Sequence, residues 1–335
     1  MPRPLQLYFT GSSTATCGLA SLSLEIIYMI IRYFGTIDLL VWGHLSRACH
    51  RQAVGEWQHR FCVLLEPFMR DVHEFQASIT RLRACVAGPV ALALLDWGNF
   101  SVARATLDIY VPVSKAYRMQ LFLTRSEHYH LRRKIQLTYG ENENLHLDTC
   151  YEFERESKII RVRSVRAESF FGAVPAAWCT ILMNAVTPAG IYCAYPAATL
   201  GGRGVINGHY LDFDGMPDGV LPKLLTRYRE RGYDIRCNHL AWMAESHPQA
   251  SCPGGGNQLG GELCPRFPRH SRDKYSLYVP FTSFAEAHRR EAMRRADPDN
   301  VESVVWQLGG VDYQNEINLF VFYTCEMRAI NNLVL

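Results

Sequence analysis

The chain has 335 residues, of which 48% are hydrophobic and 20% charged, a composition that indicates a folded globular protein and excludes a disordered tail. Its formal net charge of +3 is too small to indicate nucleic-acid or membrane binding. The 11 cysteines are odd in number and scattered singly, which fits a reducing compartment, so we expect a cytoplasmic or nuclear protein.

Residues 1–21 are predicted to be a flexible leader that lacks the sustained apolar core of a signal peptide. No apolar run approaches the length of a membrane span. The longest early run is interrupted by Glu25 and Arg32, which favours an amphipathic helix there.

Three short helices are predicted between residues 22 and 60. Apolar residues recur at a spacing that places them on one face of the first helix: Leu24, Ile27, Ile31 and Phe34. Gly35 is a typical stop, Thr36 can cap a second helix over Ile37–Leu45, and Ser46 introduces a third.

These helices, in this order, resemble an F-box, although Ser23-Leu24 stands where a Leu-Pro pair usually opens that motif. The resemblance implies a surface that docks a Skp-type adaptor of a cullin–RING ubiquitin ligase. The residues expected to contact the adaptor are Leu24, Ile27, Ile31, Leu39, Leu40 and Leu45. The alternative is that these helices only pack against the following domain.

After a helical stretch interrupted at Pro67, the chain carries a more distinctive unit. A short apolar run, Cys85–Ala87, stops at the turn Gly88-Pro89, and a helix-prone segment follows. Residues 107–111 alternate like a strand that bears Asp108. This order of strand, glycine turn, helix and acidic strand resembles the nucleotidyltransferase-like core of many fungal F-box proteins.

In that family a Gly-Ser turn opens the helix, and a D-x-D pair holds divalent metal ions against a nucleoside triphosphate. Here Thr106 stands at the first acidic position, and Pro89 replaces the serine. A third carboxylate would be expected on the later strand, where Arg161 and Arg163 stand instead. The resemblance therefore implies a pseudo-nucleotidyltransferase without catalytic residues, in which Asp108 is a vestige.

Three alternatives remain open at this stage. An active nucleotidyltransferase would use Asp108 with magnesium and a nucleoside triphosphate. A noncatalytic form would bind nucleotide or RNA through its arginine-bearing strand and helices. Finally, Asp108 could be an ordinary solvated strand residue in some other fold.

Further along, residues 117–122 and the basic residues 128–134 are predicted to form a helix beside the Asp108 strand. Residues 140–156 are predicted to be an exposed loop or hairpin, and residues 159–165 a strand.

A second resemblance to the same fungal family lies between residues 173 and 204. The matching residues are Thr180, Met183, Asn184, Tyr195, Pro196, Thr199, Arg203 and Gly204, which join Gly88 and Asp108 as family-motif positions. A short helix over 178–186 and a strand over 191–194 are predicted. Thr180 and Asn184 are expected to hydrogen-bond loop backbone, with a ligand-facing Asn184 as the alternative.

The C-terminal part is predicted to contain a basic helix over 221–232, an insertion near 237–264, a helix over 283–296 and strands at 275–281, 304–308 and 318–323. The insertion holds weak zinc candidates, Cys237, His239, Cys252 and Cys264, whose spacing lacks tight pairs, so no metal is expected. A second D-x-D, Asp212 to Asp214, is predicted to be a turn.

We therefore predict an α+β protein with an N-terminal helical F-box-like unit over 22–60. A nucleotidyltransferase-like mixed sheet with flanking helices follows over 61–335. The predicted function is that of a noncatalytic F-box-type substrate receptor without a cofactor. Its expected partners are a Skp-type adaptor and an unidentified protein target, with neither membrane nor nucleic acid.

Overall fold

The computed structural model describes residues 22–102, 105–136, 147–166, 170–207, 210, 219–237, 269–271, 273–281, 304–306 and 321–323. The helices are α1 Leu24–Ile31, α2 Thr36–Leu45, α3 Arg47–Leu65, α4 Val72–Arg81, α5 Gly88–Leu95, α6 Val113–Arg125, α7 Pro196–Leu200 and α8 Val220–Arg229. The first strands are β1 Cys85–Ala87, β2 Leu107–Pro112, β3 His130–Gln136, β4 Leu147–Arg155, β5 Lys158–Val165, β6 Asn184–Thr187 and β7 Gly190–Cys193. The remaining strands are β8 Arg203–Val205, β9 Asp234–Arg236, β10 Arg269–His270, β11 Leu277–Pro280, β12 Val304–Trp306 and β13 Val321–Tyr323.

The three predicted N-terminal helices are present as α1, α2 and α3. Ser46 caps α3, because its hydroxyl accepts a hydrogen bond from the backbone N–H of Cys49 at 3.1 Å. The predicted domain boundary between residues 60 and 61 falls inside α3, which runs unbroken to Leu65. The sequence offered no stop signal there, and the helix joins the two predicted units.

An eight-stranded sheet forms the centre of the described structure, in the order β11-β7-β6-β1-β2-β5-β4-β3. All neighbours are antiparallel except β2 and β5, which run parallel. The mixed α+β class is therefore confirmed. The predicted unit of strand, glycine turn, helix and acidic strand is present as β1, α5 and β2.

One predicted helix is correct only in its first part, and another is wrong. Residues 117–122 lie in α6, as predicted, but the basic residues assigned to the same helix do not. Residues 130–136 form strand β3, because they pair with β4 along the sheet edge and their cations meet Glu152 and Glu154. Residues 178–186 hold only a single 3-10 turn over Thr180–Leu182, after which β6 begins. Pairing of β6 with both β1 and β7 outweighs the local helical preference.

The two faces of the sheet differ in character. On one face, residues such as Val86, Ile109 and Val162 join a core that also contains Ile31 and Leu39 of the N-terminal helices. The helices and the sheet therefore share one hydrophobic core. The other face carries a smaller apolar cluster that includes Ala87. Asp108, Arg161 and Glu152 lie on this same face, in the row of paired residues that starts at Ala87.

Among the described helices, none combines the length and apolar character needed to cross a bilayer. The predicted leader, most of the predicted insertion, the second D-x-D and the helix over 283–296 lie outside the described residues.

Candidate functional site

The turn that starts α5 brings Gly88 against Asp108. The two strands place Ala87 directly opposite Asp108. Gly88 has φ +66°, and a Cβ at this position would lie 2.6 Å from the Oδ2 atom of Asp108. Two independent reasons therefore favour glycine at position 88. The backbone there has the left-handed conformation, and the carboxylate of Asp108 occupies the space that a Cβ atom would need.

Asp108 is almost completely buried, with 6% of its surface exposed. Its Oδ1 atom has no hydrogen-bond partner among the described residues. A buried carboxylate oxygen without a partner is costly, so among the described residues this position is the strongest candidate for a functional site.

One row of paired residues crosses the sheet through Asp108: Ala87, Asp108, Arg161, Glu152 and Arg133. Arg161 does not use Asp108 as its partner. Its Nε donates to Glu152 Oε1 at 2.8 Å, and Arg133 donates to both oxygens of the same carboxylate. Hydrogen bonds from Arg133 and then from Arg161 lower the pKa of Glu152 to about 2, although burial opposes them.

The next row places Arg163 between Tyr110 and Cys150. The Arg163 guanidinium lies 6.0 Å from the centre of the Tyr110 ring, and its Nε is buried without a hydrogen-bond partner among the described residues. Burial works to lower the pKa of Arg163, but nearby negative charge, led by Asp108, raises it overall. Two permanent cations thus lie on the strand beside the single acid.

The candidate metal ligands are only partly included in the described residues. In the described part of the chain, His, Cys, Asp and Glu side chains form no group of three that could hold an ion. Of the zinc candidates, only Cys237 is described, and it is exposed. His239, Cys252 and Cys264 lie outside the described residues.

Two residues of the second group, Thr180 and Asn184, form hydrogen bonds with backbone groups. Thr180 Oγ1 accepts a hydrogen bond from the backbone N–H of Val205 at 3.0 Å, and Asn184 Nδ2 donates to the carbonyl of Ile181 at 2.6 Å. The predicted backbone bonding of both residues is therefore confirmed. Asn184 Oδ1 is buried without a partner among the described residues.

The remaining motif positions are divided between core and surface. Met183 and Tyr195 are fully buried, Pro196 begins α7, and Arg203 is exposed on β8. Tyr195 lies under the guanidinium of Arg269, 4.4 Å from the ring centre.

The role of Arg269 was missed by sequence reasoning. It is fully buried, forms an ion pair with Asp273 at 2.6 Å and donates to the carbonyl of Ala194 at 2.7 Å. These contacts anchor a C-terminal segment to the end of β7. Arg269 and Asp273 are four residues apart, and this spacing by itself gave no physical reason to expect a buried ion pair.

The predicted adaptor residues divide into three groups. Leu24 and Leu45 are exposed, with 60% and 64% of their surface accessible. Ile27 and Leu40 are partly buried against the core. The placement expected for Ile31 and Leu39 needs correction, because both are fully buried and pack the helices onto the domain.

A larger exposed apolar set lies on the same two helices and on the turn between them. Nine of the fourteen large hydrophobic side chains found exposed in the described part belong to residues 24–45. We call eight of them the α1–α2 apolar surface: Leu24, Ile26, Met29, Ile30, Tyr33, Ile37, Val41 and Leu45. The sequence contained a signal for this exposed surface. The α1 segment LEIIYMII is apolar on nearly every side, so packing against the core can bury only one of its faces.

No protein-family model, no curated protein and no solved structure matches the chain.

Proposed function

We propose that this protein is a noncatalytic receptor that docks a Skp-type adaptor through the α1–α2 apolar surface. The concentration of exposed apolar side chains on α1 and α2 is the observation that carries the proposal, because monomeric proteins rarely leave such surfaces open unless a partner covers them. In this role the chain acts in the cytoplasm or nucleus, and its mixed sheet presents a target protein to a cullin–RING ubiquitin ligase.

The contacts that attach α1 and α2 to the rest of the structure support a receptor role. The side chain of Arg60 donates to the carbonyls of Ile31, Arg32 and Phe34 at the end of α1. Thr36, the first residue of α2, donates through its hydroxyl to the carbonyl of Leu95 at the end of α5. The docking helices are thus fixed to the sheet domain, which would hold a bound target at a defined position relative to the ligase.

The Asp108 site supports the noncatalytic half of the proposal. Two-metal phosphoryl chemistry needs several carboxylates around the ions, and here one acid lies beside Arg161 and Arg163. Glu152 is engaged by Arg133 and Arg161, so its oxygens are not open to an ion.

The decisive experiment is capture of a purified Skp-type adaptor by the full chain. Met29→Asp places a charge on a side chain that is 62% exposed on α1. We expect it to weaken binding at least about tenfold, because a carboxylate would be desolvated in an apolar interface. Tyr117→Asp is the matched control, since Tyr117 is 67% exposed on α6, outside this surface. Absence of adaptor binding by the native chain, or equal loss in both variants, would refute the proposal.

One observation favours a second candidate function, an active nucleotidyltransferase. Asp108 keeps a buried, unpartnered oxygen beside the glycine turn that opens α5. Incubation with labelled nucleoside triphosphates and magnesium or manganese tests this candidate. Label transfer that disappears in Asp108→Ala would replace the noncatalytic assignment.

A further inference from the structure

Strand β3 forms one edge of the eight-stranded sheet. Within the described chain it pairs only with β4, and six of its seven residues are exposed. The outward backbone N–H and C=O groups of such a strand can pair with another extended chain.

The two faces of β3 have different chemistry. On the face shared with Asp108, His130 and Arg133 lie opposite Glu154 and Glu152. The register shifts between Leu131 and Arg133, and the Arg132 Nε lies 3.6 Å from Glu154.

The cations on this face stay accessible although they have acidic neighbours. The side chains of Arg132 and Arg133 are 52% and 56% exposed. The opposite face carries Leu131, which lies across from Phe153 and is 50% exposed. Lys134 lies on the same face as Leu131, across from Tyr151. The edge therefore offers two arginines on one side, and an apolar contact with one further cation on the other.

The charge of the side chains on β3 determines which kind of chain can pair with this edge. The edge strand β3 carries Arg132, Arg133 and Lys134 and no acidic residue. The adjacent strand β4 carries Asp148, Glu152 and Glu154 together with Arg155, so the cations of the two strands outnumber the acids by four to three. A second copy of this chain would bring the same cations, so edge-to-edge self-pairing is repelled. An acidic strand is attracted by the same charges.

Single-stranded nucleic acid fits this edge less well than a peptide does. Bases stack best on large aromatic side chains, and the exposed residues of β3 include no Phe, Tyr or Trp, with His130 as the one aromatic ring. Tyr129, which precedes the strand, is buried, and its hydroxyl donates to the carbonyl of Phe68.

We infer that the β3 edge binds an extended acidic segment of a partner protein as a ninth strand. Acidic side chains would face Arg132 and Arg133, and alternate apolar side chains would lie beside Leu131. Identifying this segment as the target of a ligase receptor rests on the proposed function, whereas the strand pairing itself does not.

The test is fluorescence anisotropy of a labelled octapeptide of alternating Glu and Val, titrated with the full chain. We expect saturable binding, weakened at least about fivefold by Arg132→Glu. Lys223→Glu is the matched control, because Lys223 is exposed on α8 and the change in charge is identical. Leu131→Asn should also weaken binding, while circular dichroism confirms that each variant is folded.

Two further peptides separate strand pairing from simple charge attraction. A Glu-Val octapeptide with alternate backbone nitrogens methylated should lose binding, because it cannot donate hydrogen bonds to a sheet edge. An alternating Lys-Val octapeptide should not bind.

Four results would overturn the inference. The first two are no saturable binding of the Glu-Val peptide by the native chain, and binding of the methylated peptide as tight as that of the unmethylated one. The third is a loss of binding in Lys223→Glu equal to that in Arg132→Glu. The fourth is Arg132-dependent binding of an oligouridine that is tighter than binding of the peptide, which would indicate a nucleic-acid surface. Met29→Asp should leave peptide binding intact, so failure of adaptor docking and failure of edge pairing are distinguishable.

Discussion

Arg60 Nη2 donates a hydrogen bond to the backbone carbonyl of Phe34 at 2.8 Å, and this contact attaches the turn that follows α1 to α3. Its Nε forms an ion pair with Glu56 at 2.7 Å, and the guanidinium lies 5.0 Å from the ring centre of Trp97. Arg60 is fully buried. Arg60 therefore joins the proposed docking helices to the core. Loss of its guanidinium would remove the contacts with the Phe34 carbonyl, Glu56 and Trp97 at the same time.

Arg60→Met should destabilise the protein by about 3–5 kcal/mol, because Glu56 would become a buried charge without its partner. Urea unfolding measures this loss. The exposed Arg47→Met on the same helix is the control and should change stability by less than about 0.5 kcal/mol. The double variant Glu56→Gln/Arg60→Met should recover part of the loss, and no recovery would mean that the carbonyl contacts dominate.

Gly88→Ala should cost more than the same change at Gly98. Both residues have positive φ, +66° and +90°, so both variants carry backbone strain of about 1–3 kcal/mol. Only at Gly88 does the new methyl group meet a carboxylate oxygen, whereas nothing lies within 4 Å at Gly98. The excess cost at Gly88 should shrink in an Asp108→Ala background, measured as the free energy of unfolding. An excess that persists there would locate the strain elsewhere.

Stability should fall in acid through protonation of Glu152. Its pKa in the folded protein is about 2, below the ordinary value of 4.5, mainly because Arg133 donates hydrogen bonds to it. A depressed carboxyl pKa stabilises the folded state above pH 4.5, and this contribution is lost as the pH falls from 4.5 toward 2.

Glu152→Gln should flatten this part of the stability profile and reduce stability at neutral pH by about 1–3 kcal/mol. Chemical unfolding at a series of pH values measures both effects. The exposed Glu74→Gln is the control, and its stability should still fall between pH 4.5 and pH 2 as in the native protein. A profile for Glu152→Gln that parallels the native one would show that other carboxylates control the acid limb.

Thr180→Val should cost about 1–3 kcal/mol, because the replacement keeps the shape of the side chain but leaves the buried N–H of Val205 without its acceptor. Thermal unfolding measures this change. Thr124→Val is the control, since that hydroxyl only bonds carbonyls of its own helix. A Thr180 variant as stable as the control would contradict the role of Thr180 in holding strand β8.

The local pattern of the sequence determined the unit formed by β1, α5 and β2. Apolar alternation, a Gly-Pro turn and a run of helix formers are short-range signals, and they depend on neighbours within a few residues. The three N-terminal helices were predictable for the same reason, as were the backbone bonds of Thr180 and Asn184. The predicted residues of the apolar stripe also included those that pack α1 onto the core.

Tertiary structure alone decided which apolar residues of α1 and α2 remain exposed, because α1 is apolar on nearly every side and only its neighbours select the buried stripe. It also decided that residues 130–136 form a strand, since pairing with β4 outweighs local preference. The partners of the arginines were decided in the same way. Arg161 and Asp108 are opposite each other on paired strands, yet Arg161 bonds Glu152 of the next strand, a choice set by three-dimensional packing that no spacing along the chain encodes.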